Sequence, residues 1–195
     1  SYNVDDTADT ITEAAGGGTD SVRVFANAYV LSANVETMSF GGSGNFTGTG
    51  NGSDNRISGG AGNDVLDGKG GADTLTGGAG NDRFLFTRGQ ADGDTITDFA
   101  GAGVAGGDKL VFTGYGNGTI TRVGTTESFV IRADAAHGGG SETIRLSGVT
   151  RLGAGDYEFD GATGVNAAPT DISATNLAVK ENATSGTTIG ILSAE

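Results

Sequence analysis

Three aspartates, Asp64, Asp73 and Asp82, recur every nine residues. Each stands two residues after a glycine (Gly62, Gly71, Gly80) and two before a large apolar side chain (Leu66, Leu75, Phe84). The blocks that carry them are GGAGNDVLD (59–67), GKGGADTLT (68–76) and GGAGNDRFL (77–85), and they succeed one another without insertion. A fourth block, GNGSDNRIS (50–58), keeps the register with Asn55 in the aspartate place and Ile57 in the apolar one. Glycine enters positive-φ conformations freely, so the first six residues of a block can turn tightly and aim several carbonyl oxygens at one spot. The aspartate adds carboxylate oxygen. Hard divalent cations take such donors, and calcium wants six to eight of them at about 2.3–2.6 Å.

The last three residues of a block read as a short strand whose middle residue faces inward. Two blocks then complete one coil, with a turn on each side and a strand on each face. Blocks 59–67 and 77–85 stack in this arrangement, placing Asp64 over Asp82 at about the 4.8 Å spacing of neighbouring strands. Two such carboxylates repel by roughly 1 kcal/mol in water and about 3.5 kcal/mol at an effective dielectric of 20. Each block orders nine residues and buries one Leu or Phe, so apolar burial does not offset the entropy of ordering the chain. Metal ligation is expected to supply the difference, which makes binding and folding one event. A flexible glycine-rich linker is the alternative, but a linker has no reason to hold its apolar residues in phase.

These blocks resemble the RTX repeat, the GGxGxDxUx nonapeptide (U a large apolar residue) of bacterial proteins exported by type I secretion. The resemblance implies an all-β fold, a right-handed parallel β-roll or β-helix with calcium in the turns between coils. It implies the carboxylates of Asp64, Asp73 and Asp82 as ligands, with turn carbonyls such as those of Gly60, Gly62, Gly71, Gly78 and Gly80. Lys69 departs from the pattern in a glycine position, which strains its turn. Asn55 is a neutral substitute and implies a weaker site shared with Asp73. The segments DGDTITDF and GGDKLVF also resemble the closing segments on the C-terminal side of RTX repeats. In them Asp92, Asp94, Asp98 and Asp108 are candidates for a further ion, the alternative being solvated turn residues. Upstream, Asp9 and Asp20 repeat the spacing of an aspartate and, two residues later, an apolar group.

Around the blocks, residues 1–93 read as the parallel roll, the register loosening before residue 50. Residues 94–165 read as a β-rich region whose antiparallel strands cap the roll, because a bare end is an open sheet edge. Residues 166–195 hold the only proline, Pro169, and read as a linker and the truncated start of another domain. That tail resembles the opening of a cadherin-like repeat, with APTDI at 168–172, EN at 181–182 and GILSA at 190–194, and Glu181 would then be a calcium candidate. The chain is accordingly expected to be a piece of a longer polypeptide.

Composition agrees with this reading. Glycine accounts for 38 of 195 residues, hydrophobic residues for 35%, and the net charge is −13. That charge disfavours nucleic acid and anionic membranes. Cysteine is absent, which excludes disulfides and thiolate metal sites. No stretch approaches the roughly 18 apolar residues of a membrane helix, so membrane insertion is not expected. The single histidine, His137, lies beside three glycines and reads as a surface loop residue. No nucleophile elbow, zinc-protease, phosphate-loop or dinucleotide motif occurs, so no enzyme is expected. The expected function is a secreted, extracellular or cell-surface calcium-binding module that folds after export. Its parent would be a large adhesin or a polysaccharide-active protein. The alternative is a calcium-dependent carbohydrate-binding module that presents Tyr29, Tyr115, Tyr157 or Phe46 to a polysaccharide or cell-surface glycan.

Overall fold

The computed structural model describes residues 1–101 and 107–161. Its strands lie in two sheets. The nine-stranded sheet runs β1 (Tyr2–Val4), β2 (Ser21–Val24), β4 (Thr37–Phe40), β6 (Arg56–Ala61), β8 (Thr74–Ala79), β10 (Thr95–Ile96), β14 (Ser141–Leu146), β13 (Ser128–Arg132) and β12 (Thr119–Arg122). The six-stranded sheet runs β3 (Ala28–Val30), β5 (Thr47–Thr49), β7 (Val65–Asp67), β9 (Arg83–Thr87), β11 (Lys109–Thr113) and β15 (Tyr157–Phe159). From β2 to β11 successive strands alternate between the sheets, and neighbours within a sheet pair in parallel over that region. The result is an all-β solenoid of stacked coils, a parallel β-roll.

Period-2 alternation within each short strand sends one residue inward, and the parallel register lines those residues up from coil to coil. In the larger sheet Val22, Met38, Ile57, Leu75, Ile96 and Leu146 form one buried row. In the smaller sheet Leu66, Phe84 and Leu110 form the facing row. Gly48 stands in that second row without a side chain, and the ring of Phe46 takes the space: a Cβ at Gly48 would lie 2.7 Å from it.

Before residue 50, β1, β2 and β4 stack onto β6 in parallel. The roll does not stop at residue 93. Strands β10, β11 and β15 continue both parallel sheets, and antiparallel pairing is confined to β12, β13 and β14. The reason lies in β14, which pairs parallel with β10 on one side and antiparallel with β13 on the other, so a single strand converts the coil into the cap. A second correction concerns the aromatics. Tyr29, Phe46 and Tyr115 are buried core residues, and Tyr157 is half-buried against Phe159. They fill the narrow interior that a glycine-rich chain leaves, and they do not form an exposed platform for sugars. The cadherin-like tail and Glu181 lie outside the described residues. Among those residues, no helix is long and apolar enough to cross a membrane.

Candidate metal centre

The turns fall on two edges of the roll. On the first edge the chain passes from the nine-stranded sheet to the six-stranded one, through Asp64 after β6 and Asp82 after β8. On the second edge it returns, through Asn55, Asp73 and Asp94. On each edge the carboxylates tie adjacent coils together. The Phe46 amide donates to Asp64 Oδ1 at 2.8 Å, the Asp64 amide to Asp82 Oδ1 at 2.8 Å, and the Asp82 amide to Asp108 Oδ1 at 2.9 Å. On the second edge the Asn55 amide donates to Asp73 Oδ1 at 2.7 Å and the Asp73 amide to Asp94 Oδ1 at 2.8 Å. Each aspartate therefore staples its coil to the one before it.

One oxygen of each carboxylate is used in this way; the other is not. Asp64, Asp73 and Asp82 are 0%, 1% and 1% exposed, and their Oδ2 atoms are buried without a hydrogen-bond partner. A buried, unpaired carboxylate oxygen is costly and calls for a partner. The local sequence makes room for it. A Cβ at Gly77 would stand 2.1 Å from Asp82 Oδ2, and the same holds for Gly59 with Asp64 (2.2 Å) and Gly68 with Asp73 (2.1 Å). The first glycine of each of these three blocks thus admits the carboxylate of the aspartate five residues later.

The remaining glycines shape the turns. Gly60 and Gly78 adopt φ 106° and 105°, Gly71 111°, and Gly62 and Gly80 both 131°. The carbonyls of Gly60 and Gly62 are directed at the next coil, where a Cβ on Gly78 or Gly80 would meet them at 1.9 Å. Lys69, at the place equivalent to Gly60 and Gly78, is forced to φ 71°, the strain expected of a side chain there.

Burial also sets the charge state. It pushes the Asp64 carboxyl upward, the Asp82 carboxyl up to about 6 and the Asp73 carboxyl up to about 7, only partly opposed by the amide each one accepts. Asp94 is pushed up to about 8 by burial, with Asp73, Glu142 and Asp67 adding to it. A dry row of like charges is stable only with protons or a cation beside it. The donors are carboxylate and carbonyl oxygens, which suits a hard ion such as calcium. Among the described residues no three acidic or histidine side chains converge on one point, so turn carbonyls would complete the shell. On these observations the residues fit the metal.

The structure divides the set Asp92, Asp94, Asp98 and Asp108. Asp94 is the next rung of the second edge, 21 residues after Asp73, and Asp108 the next rung of the first, 26 after Asp82. Asp108 spends its other oxygen on the Ala100 amide at 2.8 Å. Asp98 braces the turn amides of Gly77 and Gly78 at 3.0 and 2.8 Å. Asp92 is exposed and accepts from the Thr143 amide of β14 at 2.9 Å. These four do not share one ion, because β10 separates Asp94 from Asp98 and Asp108. Asp9 is exposed and closes a local turn by accepting from the amides of Asp5 and Asp6, both at 3.2 Å. Asp20 lies on the second edge, but its carboxylate faces the chain's amino terminus at 3.9 Å, while its amide donates to Glu36. Neither belongs to the rows of orphaned oxygens. His137 sits on the short 3₁₀ turn Ala135–His137, exposed and paired with Asp134 at 2.6 Å.

Two features of the site lie outside the sequence expectations. Asn45, Asn63 and Asn81 form an amide ladder beside the first-edge aspartates, each Oδ1 of the first two accepting from the next asparagine's backbone N–H at 2.9 and 2.8 Å. The asparagine before each of Asp64 and Asp82 is the signal that could have shown it. Asp67, at the last position of its block, lies beside the second edge, and only its charge sets it apart from the residues in the same place of other blocks.

Residues 49–84 match the family model of the RTX calcium-binding nonapeptide repeat, in four copies. Repeats of that family bind calcium and occur in type I-secreted extracellular proteins, and this segment is similar to them. No curated protein matches the chain.

Proposed function

We propose that the chain is a calcium-dependent folding module of a larger secreted protein, such as an adhesin or a polysaccharide-active protein. The roll holds extended, exposed parts of its parent in place once calcium is available. Asp64, Asp82 and Asp73 are the ligating carboxylates, through Oδ2, with Gly60, Gly62, Gly71, Gly78 and Gly80 contributing turn carbonyls. Asp94 extends the second row. The observation that carries this reading is the set of three buried carboxylate oxygens without partners, one per block. Calcium there neutralises the rows and fills the ligand positions that the protein leaves open, so binding stabilises only the folded chain. A carbohydrate-binding role finds less support, because its expected aromatics serve the core.

Equilibrium dialysis tests the assignment. Asp64→Asn and Asp82→Asn should each lose bound calcium relative to the parent chain, whereas Asp92→Asn should bind as much as the parent. Equal uptake by all four proteins would remove Asp64 and Asp82 from the site.

A further inference from the structure

The two edges of the roll differ in charge. On the first, Asp64, Asp82, Asp98 and Asp108 crowd together, and no basic side chain forms an ion pair with any of them among the described residues. On the second, Asn55 replaces one aspartate and Lys69 replaces a turn glycine. Lys69 turns its ammonium back to Asp67, with Nζ 2.9 Å from Oδ2, while its own amide donates to Oδ1 at 3.0 Å. Asp67 is 9% exposed, and its charge reaches both Asp73 and Asp94. Lys69 holds this place although its backbone lies at φ 71°, where its counterparts are glycines. A conformation that L side chains avoid is retained at a turn whose cation pairs with Asp67, beside the acidic row.

We infer that Lys69 is a tethered counter-ion of the second edge, so that this edge needs less calcium and binds it more weakly than the first. This rests on the function proposed above. The physical basis is competition between fixed and mobile cations. An ammonium paired with Asp67 offsets the negative charge that Asp67 adds beside Asp73 and Asp94, which lowers the field that attracts a divalent ion and relieves the repulsion in its absence. The consequence is ordered loading. The first edge, with no internal cation, takes calcium at the lowest concentrations, and the second fills afterwards.

Calcium isotherms of the parent, Lys69→Met and Lys69→Arg test this. The Met variant keeps the strained backbone and loses the charge; the Arg variant keeps both. The weakest class of calcium sites should tighten about two- to fivefold in Lys69→Met and stay at the parent value in Lys69→Arg. Asp82→Asn should remove tight binding and Asp73→Asn weak binding. Superimposable isotherms for the parent and Lys69→Met would overturn the inference while leaving the proposed function intact. If the parent takes up no calcium, the proposed function falls, and the inference that rests on it falls with it.

Discussion

Between Arg56 and Phe84 the roll is one apolar side chain deep per strand. Ile57, Leu66, Leu75 and Phe84 are its interior, and buried carboxylates close its turns. The region from Lys109 to Gly161 is built differently. Phe112 stacks on Phe86 at 5.4 Å and on Phe159 at 4.9 Å, and Tyr115 packs edge-on against both Phe112 and Phe159. The Tyr115 hydroxyl reaches Glu142, which also receives the amides of Gly89 and Ala91. Acidic groups here meet basic ones: Glu158 pairs with Arg83 at 2.6 Å and Lys109 at 3.5 Å, and Glu127 with Arg145 at 2.6 Å. This C-terminal region has more apolar mass and pairs its acids with fixed cations, whereas the nonapeptide coils leave acid oxygens for an ion from outside. One chain thus solves the closure of a β coil in two ways, and only one of them depends on the solvent.

The largest effect that this difference predicts is regional. Removing calcium should abolish amide protection in β6 to β9 and leave measurably more of it in β13 and β14, read by hydrogen exchange with mass spectrometry. Uniform loss across both regions would erase the distinction. Acid comes next. The folded Asp82, Asp73 and Asp94 carboxyls titrate at about 6, 7 and 8, above the ordinary value of 3.8. Because the folded state then binds protons more tightly than the unfolded one, stability is lost as pH rises through that window. In chelator the β signal of the coils should therefore recover in part as the pH falls from 8 to 5, and saturating calcium should flatten or reverse that dependence.

In the aromatic C-terminal region, Phe112→Ala should lower stability by about 3–5 kcal/mol with little change in calcium stoichiometry, as chemical denaturation in calcium and dialysis would show. Smallest is Gly77→Ala, whose methyl would press on Asp82 Oδ2. Overpacking costs about 1–3 kcal/mol, and here it should appear as weaker calcium binding on the first edge rather than as a defect of the chelated chain.

How far the sequence reveals this contrast depends on the period. From Gly59 to Leu85 the nine-residue spacing fixes the places of the aspartate and the inward residue, and the structure keeps both, although β6 and β8 each run on through three residues expected in the turn. Beyond that, the rungs fall 21 and 26 residues after their predecessors instead of 18. Asp94 and Asp108 therefore stand out as acidic residues without their partners being legible. The carboxylates of Asp92 and Asp98 look the same in sequence but brace backbone amides of other segments, a long-range choice that local spacing does not encode. Aromatics mislead for a related reason. In a chain so poor in apolar residues, Phe46 and Tyr115 are claimed by the interior through contacts with Gly48 and Phe112 that only the stacking creates. Lys69 is legible as a departure from the glycine pattern; that its ammonium returns to Asp67 is not.

The nonapeptide coils are held to close around calcium and not without it. Far-ultraviolet circular dichroism of the chain in excess chelator, and then through a calcium titration, puts that coupling to the test. Little β signal is expected at first, with a cooperative gain at millimolar calcium or below that is blunted in Asp64→Asn and Asp82→Asn. A full β spectrum in chelator, unchanged by added calcium, would contradict it.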